Sequence, residues 1–84
     1  MKVSLKLYAN LSDYLPSEAR NTNRLELDVE PGTTPLALIE RYGLPEKSCH
    51  LVLVDGVFVP PEQRGTRVLE DGEVLAIWPP VAGG

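Results

Sequence analysis

Two neighbouring residues, Cys49 and His50, carry the side chains of this 84-residue chain that are best suited to chemistry. A cysteine acts as a nucleophile when its thiol pKa is lowered, and the sequence places no obvious activating base beside Cys49. No serine or carboxylate stands at catalytic spacing from His50, and a single cysteine cannot build a zinc site. We therefore expect a plain thiol at Cys49, a surface or strand-edge histidine at His50, a core or edge aromatic at Trp78, and neither a metal site nor a catalytic side-chain constellation.

The last six residues indicate a different kind of chemistry. Pro79 and Pro80 are followed, after two further residues, by Gly83 and Gly84. Two prolines favour an extended segment with a rise of ~3.1 Å per residue, so that residues 79–84 could span up to ~19 Å. Glycine has no side chain to clash in a narrow channel, and it leaves the carbonyl group unhindered. The pattern is that of a C-terminal acyl donor whose Gly84 carboxylate, unreactive at pH 7, is activated with ATP by another enzyme; the alternative is a frayed terminus.

The charge of the chain limits its expected partners. The net charge is −4 and the sequence pI is about 4.8, so phosphate backbones would be repelled and a basic protein surface is the natural complement. No apolar run approaches the ~20 residues that span a bilayer, and the alternating N-terminus does not resemble a signal peptide. We expect a cytoplasmic protein that binds neither nucleic acid nor membrane.

Two segments near the start of the chain alternate between apolar and polar residues. Residues 2–8 and 24–30 each place every second side chain on one face, which is the pattern of a half-buried strand. Pairing of these strands would set lysines of the first beside carboxylates of the second. Between them, residues 11–15 predict a short helical turn and residues 17–23 a polar surface loop.

A short helix is predicted after the second strand. Thr34 is suited to cap its N-terminus, Pro35 to occupy the first helical position, and Gly43 to end it in a left-handed conformation. A helix of two to three turns is unstable alone in water, so it must pack on a sheet. Its apolar stripe comprises Leu36, Leu38, Ile39 and Tyr42.

The second half of the chain predicts three more strands. Residues 50–54 form the first, and Asp55-Gly56 is a strong hairpin signal that returns the chain into residues 57–59. Residues 73–78 are apolar on both faces, as is typical of a central strand.

This order of elements predicts an α+β domain over residues 1–78, followed by an extended tail over residues 79–84. One helix packed on one face of a mixed sheet of about five strands is the natural two-layer arrangement. Closing the first hairpin, crossing with the helix and placing the last strand centrally gives a ubiquitin-like β-grasp fold.

Over essentially its whole length the chain resembles the ubiquitin-like sulfur carriers, which include the small subunit of molybdopterin synthase and the thiamine-biosynthesis sulfur carrier. Each internal motif is weak alone, but the motifs occur together and in order. They are the Val3–Asn10 strand into Leu11, Pro31-Gly32-Thr33-Thr34 before a Leu-rich helix, Leu53-Val54-Asp55-Gly56, Arg67-Val68-Leu69-Glu70-Asp71-Gly72-Glu73-Val74, and the ending Pro79-Pro80-Val81-Ala82-Gly83-Gly84.

The resemblance implies a carrier rather than an enzyme. An adenylating enzyme of the ubiquitin-activating type would use ATP in trans to convert the Gly84 carboxylate to an acyl-adenylate, and a sulfur donor, a persulfide, would yield a thiocarboxylate. The ending and the length are closest to the molybdopterin branch, in which the tail, with Gly83 in the narrow channel, inserts into the large subunit of molybdopterin synthase. We therefore expect a role in molybdenum or tungsten cofactor biosynthesis, with no cofactor bound to the chain itself.

Three other functions fit the same residues. The first is a ubiquitin-like modifier that is joined through Gly84 to lysines of other proteins. The second is a sulfur carrier for thiamine or for another sulfur-requiring product. The third is a non-catalytic binding module whose tail is incidental.

The resemblance also implies a docking face, on the exposed side of the sheet near the tail. Leu53, Phe58 and Val59 are its candidates, with Arg64 and Arg67 as polar rim contacts; the alternative is that Phe58 and Val59 cap the small core. The tail residues Pro79, Pro80, Val81 and Ala82 complete the predicted partner-binding set.

Overall fold

The computed structural model describes residues 1–80. Over these residues the chain forms a five-stranded mixed sheet with one α-helix, which confirms the predicted ubiquitin-like β-grasp architecture. The strands are β1 (Lys2–Leu7), β2 (Arg24–Asp28), β3 (Leu51–Val54), β4 (Val57–Phe58) and β5 (Val74–Trp78), and the helix α1 spans Pro35–Arg41. Short 3-10 helices occupy Ala9–Tyr14, Ser17–Ala19, Glu46–Ser48 and Pro61–Gln63.

The sheet has the strand order β2-β1-β5-β3-β4. β5 is the central strand, parallel to β1 and antiparallel to β3, as its apolar composition on both faces predicts. β1 and β2 pair in antiparallel fashion with Lys2 opposite Asp28, and the Lys2 ammonium lies 3.2 Å from the Asp28 carboxylate. The expected pairing of opposite charges across these two strands is therefore confirmed for Lys2 and wrong for Lys6, which lies opposite Arg24.

The helix begins and ends where the sequence predicts. The side chain of Thr34 accepts a hydrogen bond of 3.2 Å from the backbone N–H of Ala37, and Pro35 occupies the first helical position. Gly43 follows the helix with a φ of +68°, a conformation that a residue with a Cβ adopts only at a cost. With seven residues the helix has two turns, and it buries Leu38 and Ile39.

The core lies between the helix and one face of the sheet. Alternate residues of three adjacent strands are almost completely buried there, so this face of β1, β5 and β3 is continuous. The 3-10 helix Ala9–Tyr14 adds the buried Leu11 at one edge, as the predicted helical turn requires. The residues from these strands with at most 2% exposure are Val3, Leu5, Leu7, Val52, Val54, Leu75 and Ile77.

The segment between β1 and β2 is more ordered than the sequence indicates. Residues 17–23, predicted as a polar surface loop, begin with the 3-10 helix Ser17–Ala19, and Ala19 is buried in the core with 5% exposure. The burial of Ala19 could not be predicted from apolar–polar alternation, because one small apolar residue between polar neighbours gives no periodic signal.

Candidate functional site

The open face of the sheet carries an apolar patch that comes from β3, β4 and β5. Leu53 lies directly opposite Phe58 on one side and opposite Ala76 on the other, and Leu51 lies opposite Trp78. Directly opposed residues share a face of the sheet, so these side chains are neighbours. Phe58, Trp78 and Leu51 are 49%, 40% and 36% exposed. We call the group formed by Leu51, Leu53, Phe58, Ala76 and Trp78 the sheet patch.

An aromatic stack extends the sheet patch toward β1. The rings of Tyr8 and Trp78 are parallel to within 3°, and their centroids lie 3.7 Å apart. The ammonium of Lys6 lies 5.8 Å from the centroid of the Tyr8 ring, which is within the range of a cation–π contact. This stack holds the side chain of Trp78, the last residue of β5, against Tyr8 and leaves part of it accessible.

The two prolines that begin the tail directly follow a firmly held strand. The backbone N–H of His50 donates to the carbonyl oxygen of Trp78 at 3.0 Å, and the N–H of Tyr8 donates to that of Ile77 at 3.2 Å. The end of β5 is therefore hydrogen-bonded on both sides. Pro79 is half-buried and Pro80 is exposed, and both directly follow Trp78 of the sheet patch. The predicted site residues Val81, Ala82, Gly83 and Gly84 lie outside the described residues.

Leu53 and Phe58 lie on the open face, where the sequence analysis placed them, although only Phe58 is largely exposed. Val59 does not lie there: it is 4% exposed, and its backbone N–H donates to the carbonyl oxygen of Val52 at 2.8 Å. Successive residues of an extended segment point to opposite faces, so a Phe58 side chain on the open face places the Val59 side chain on the core face. Val59 belongs to the core, which agrees with the alternative prediction that this residue caps the small core.

The expected exposure of Arg64 is wrong, because this residue is 7% exposed. Its guanidinium donates to the carbonyl oxygens of Val59 (Nε, 3.1 Å), Cys49 (Nη1, 2.7 Å) and His50 (Nη2, 3.3 Å). It thereby ties the residues before β3 to the segment after β4. Arg64 acts inside the domain and not as a rim contact.

The expected location of Arg67 is also wrong. Its guanidinium forms a two-pronged pair with Glu73, at 2.7 and 2.8 Å. Glu73 directly precedes β5, whereas Pro79 directly follows it. Glu73 and Pro79 are six residues apart along this extended strand, a separation of roughly 20 Å, so Arg67 lies at the far end of β5 from Pro79.

The Cys49 thiol is buried, with 3% residue exposure, and its Sγ lies 3.4 Å from the carbonyl oxygen of Pro45. Burial raises the pKa of the Cys49 thiol, and the nearby Arg64 charge only partly opposes this shift. A raised pKa disfavours the nucleophilic thiolate, so Cys49 is a plain buried thiol. His50 is exposed directly before β3, as predicted.

No group of three or more His, Cys, Asp or Glu side chains among residues 1–80 is arranged to hold a metal ion. Within the same residues, no helix has both the length and the apolar character needed to cross a membrane.

Several residues of the open face were not predicted from the sequence. Leu51 and Ala76 follow from strand alternation once the register of β3 and β5 is known. The stack of Tyr8 on Trp78 has no local sequence signal, because these residues are 70 positions apart and meet only through the parallel pairing of β1 with β5.

Comparisons with known proteins agree with this geometry. The family model described as Mut7-C ubiquitin matches residues 1–83. The chain belongs to this family. None of the curated proteins searched matches it.

Three solved structures share the fold of this Mut7-C ubiquitin family member. SAMP1 from Haloferax volcanii is 23% identical with a TM-score of 0.67, and both chains are covered completely. The complex of subunits 1 and 2 of the molybdopterin-converting factor from Helicobacter pylori 26695 contains a chain that is 15% identical, with a TM-score of 0.61 and complete coverage of both chains. The small archaeal modifier protein 1 (SAMP1) from Methanosarcina acetivorans is 29% identical with a TM-score of 0.60, covering 99% of this chain and 96% of its own. The chain therefore has the fold of small ubiquitin-like carriers and modifiers.

Proposed function

We propose that the chain is a sulfur carrier whose Gly84 carboxylate is adenylated and converted to a thiocarboxylate, with molybdenum or tungsten cofactor biosynthesis as its pathway. The observation that carries the proposal is the position of the tail. It begins at the hydrogen-bonded end of the central strand, beside an accessible apolar patch, and its sequence ends in Gly83-Gly84. A partner that binds the patch could take the tail into its active site at the same time.

The chemistry is supplied by partners. A carboxylate is a poor electrophile, so the adenylating enzyme first joins the Gly84 carboxylate to the AMP portion of ATP and releases pyrophosphate. The terminal sulfur of a persulfide then displaces AMP and forms an acyl disulfide. A thiol reduces this disulfide, releasing the thiocarboxylate of Gly84 and a new disulfide between the thiol and the donor. The role of this chain is to present an unhindered glycine carbonyl.

The sheet patch is the proposed docking surface. Exposed apolar clusters of this kind commonly mark protein interfaces, and binding energy concentrates in aromatic residues that become fully desolvated. Phe58 and Trp78 are the two large aromatic side chains of the patch, and both are partly exposed. The net charge of −4 favours a partner whose surface around the contact is basic.

The test is ATP–pyrophosphate exchange by a ubiquitin-activating-type enzyme from the same organism, with this chain as substrate. We expect exchange with the 84-residue chain and none when Gly84 is deleted. Phe58→Ser should raise the KM at least several-fold, because it removes an apolar anchor, whereas the matched change Val68→Ser should not. Val68 is 48% exposed but lies outside the patch. Equal exchange with and without Gly84 would overturn the proposal.

A second candidate is a protein modifier that is conjugated through Gly84. It is favoured by two of the similar structures, which are described as SAMP1, in one case spelled out as a small archaeal modifier protein. Both candidates share the adenylation step, so the exchange assay does not separate them. Mass spectrometry of tryptic digests from cells that express the tagged chain would identify conjugation as lysines that carry the branched peptide of residues 68–84, because Arg67 is the last trypsin site of the chain. Absence of such lysines alongside a thiocarboxylate would favour the carrier.

A further inference from the structure

A cleft of about 300 Å³ lies between helix α1 and the residues that lead into β3. Leu36 and Ile39 of the helix provide apolar lining, and Lys47, His50 and Arg64 provide groups that carry or can carry positive charge. Its volume is at the lower end of the range for small-molecule sites. The cleft is separate from the sheet patch, because the helix packs on the opposite face of the sheet.

Arg64 gives this cleft an unusual electrostatic character. It donates three of the five N–H groups of a guanidinium to backbone carbonyls, so two N–H groups, one on each Nη, have no protein acceptor among residues 1–80. Within those residues no carboxylate lies within ion-pairing distance of it. A buried charge without a counter-ion is costly, and carbonyl dipoles compensate it only in part. An anion in the cleft would complete the coordination of this guanidinium.

The neighbouring charges favour an anion on balance. Lys47 is positively charged and His50 is a further N–H donor, while Glu46 is the acidic residue that lines the cleft. Together with Arg64, these groups make the cleft a positive site on a chain whose net charge is −4.

We propose that this cleft binds a small organic anion. Its carboxylate or phosphate group would lie against Arg64 and Lys47, and its apolar body against Leu36 and Ile39. The inference does not depend on sulfur transfer: among residues 1–80, neither Pro79, Pro80 nor any residue of the sheet patch lines the cleft.

The test is a titration of the ¹⁵N-labelled chain followed by two-dimensional NMR, with benzoate, phenyl phosphate and inorganic phosphate as probes. We expect saturable shifts of the amides around Leu36, Lys47 and His50, and of the Nε–H of Arg64. Benzoate and phenyl phosphate distinguish a carboxylate from a phosphate site. Either should bind more tightly than inorganic phosphate, because only these two place an apolar ring on the helix side. Absence of saturable shifts with all three probes would overturn the proposal.

Two adjacent exposed residues of opposite charge, Lys47 and Glu46, provide variants with opposite expected effects on the affinity for the anion. Lys47→Gln should weaken binding and Glu46→Gln should strengthen it, each by roughly two- to fivefold, as for partly exposed charge pairs. Lys6→Gln and Glu18→Gln change the net charge equally but lie away from the cleft, so they should leave the affinity unchanged. If they shift it as much as the cleft variants do, the binding is a general charge effect and the proposal fails.

Discussion

Arg64 is expected to be the most stabilising charged residue of the domain, and Arg64→Met tests this directly. Methionine keeps an unbranched apolar stem but leaves the carbonyl oxygens of Val59, Cys49 and His50 without their donor. The first two of these hydrogen bonds are buried and the third is partly buried. A buried acceptor left without a partner costs about 1–3 kcal/mol. Removal of the incompletely compensated Arg64 charge offsets part of the cost of the three acceptors, so we expect a net loss of roughly 2–5 kcal/mol.

That loss is large compared with the stability of a domain of this size. At about 0.05–0.15 kcal/mol per residue, an 84-residue chain has a free energy of unfolding of roughly 4–13 kcal/mol. A loss of 2 kcal/mol would lower the midpoint of urea denaturation by roughly 1–2 M. Arg64→Lys should lie between the wild type and Arg64→Met, because one ammonium cannot reach three carbonyls spread around a planar guanidinium.

The matched control is Arg41→Met, which makes the same change at an exposed position of the helix. Arg41 lies 5.6 Å from the Tyr42 ring centroid and in the last turn of the helix, so we expect the change to alter the free energy of unfolding by at most about 1 kcal/mol. An unchanged denaturation midpoint for Arg64→Met would refute the reasoning, since it would mean that the three carbonyl oxygens find other donors without cost.

Three further changes test individual parts of the fold. The hydrogen bond from Arg67 is the main cause that lowers the pKa of the Glu73 carboxyl; this pairing therefore stabilises the fold above the carboxyl's unfolded pKa and is lost as pH falls through the folded pKa. Glu73→Gln should accordingly reduce stability at neutral pH and flatten its decline in acid, as measured by urea denaturation at a series of pH values. Gly56→Ala should lower the free energy of unfolding by about 1 kcal/mol, as measured by thermal denaturation, because Gly56 has a φ of +82° in the hairpin turn. Thr34→Ala should by itself lower the free energy of unfolding by ~1 kcal/mol, because the helix cap is lost, whereas Thr34→Ser should keep most of that stability. Equal losses of stability for both variants would contradict the capping role.

The strands and the helix could be predicted from the sequence because their signals are local. Alternation identified β1 and β2, Asp55-Gly56 identified the hairpin between β3 and β4, and Thr34 identified the helix start. Each of these signals acts through contacts within a few residues, so it survives without knowledge of the tertiary structure.

The errors arose where the position of a side chain depends on distant parts of the chain. Strand alternation within the predicted residues 57–59 separates Phe58 from Val59, but the docking face implied by the resemblance included both residues. Arg64 was expected at the rim of the docking face that the resemblance implies, and nothing near it in sequence indicates that carbonyls 5 to 15 residues away would hold it inside the domain. The position of Arg67 follows from its pairing with Glu73 at the start of the central strand.

The most direct test of the central claim is intact mass spectrometry of the 84-residue chain after incubation with ATP, its adenylating enzyme and a sulfur source. We predict a mass gain equal to the difference between a sulfur and an oxygen atom, located in the peptide that ends at Gly84 and absent when Gly84 is deleted. An unchanged mass with an enzyme that performs the ATP–pyrophosphate exchange on this chain would contradict sulfur transfer and leave conjugation through Gly84 as the function of the tail.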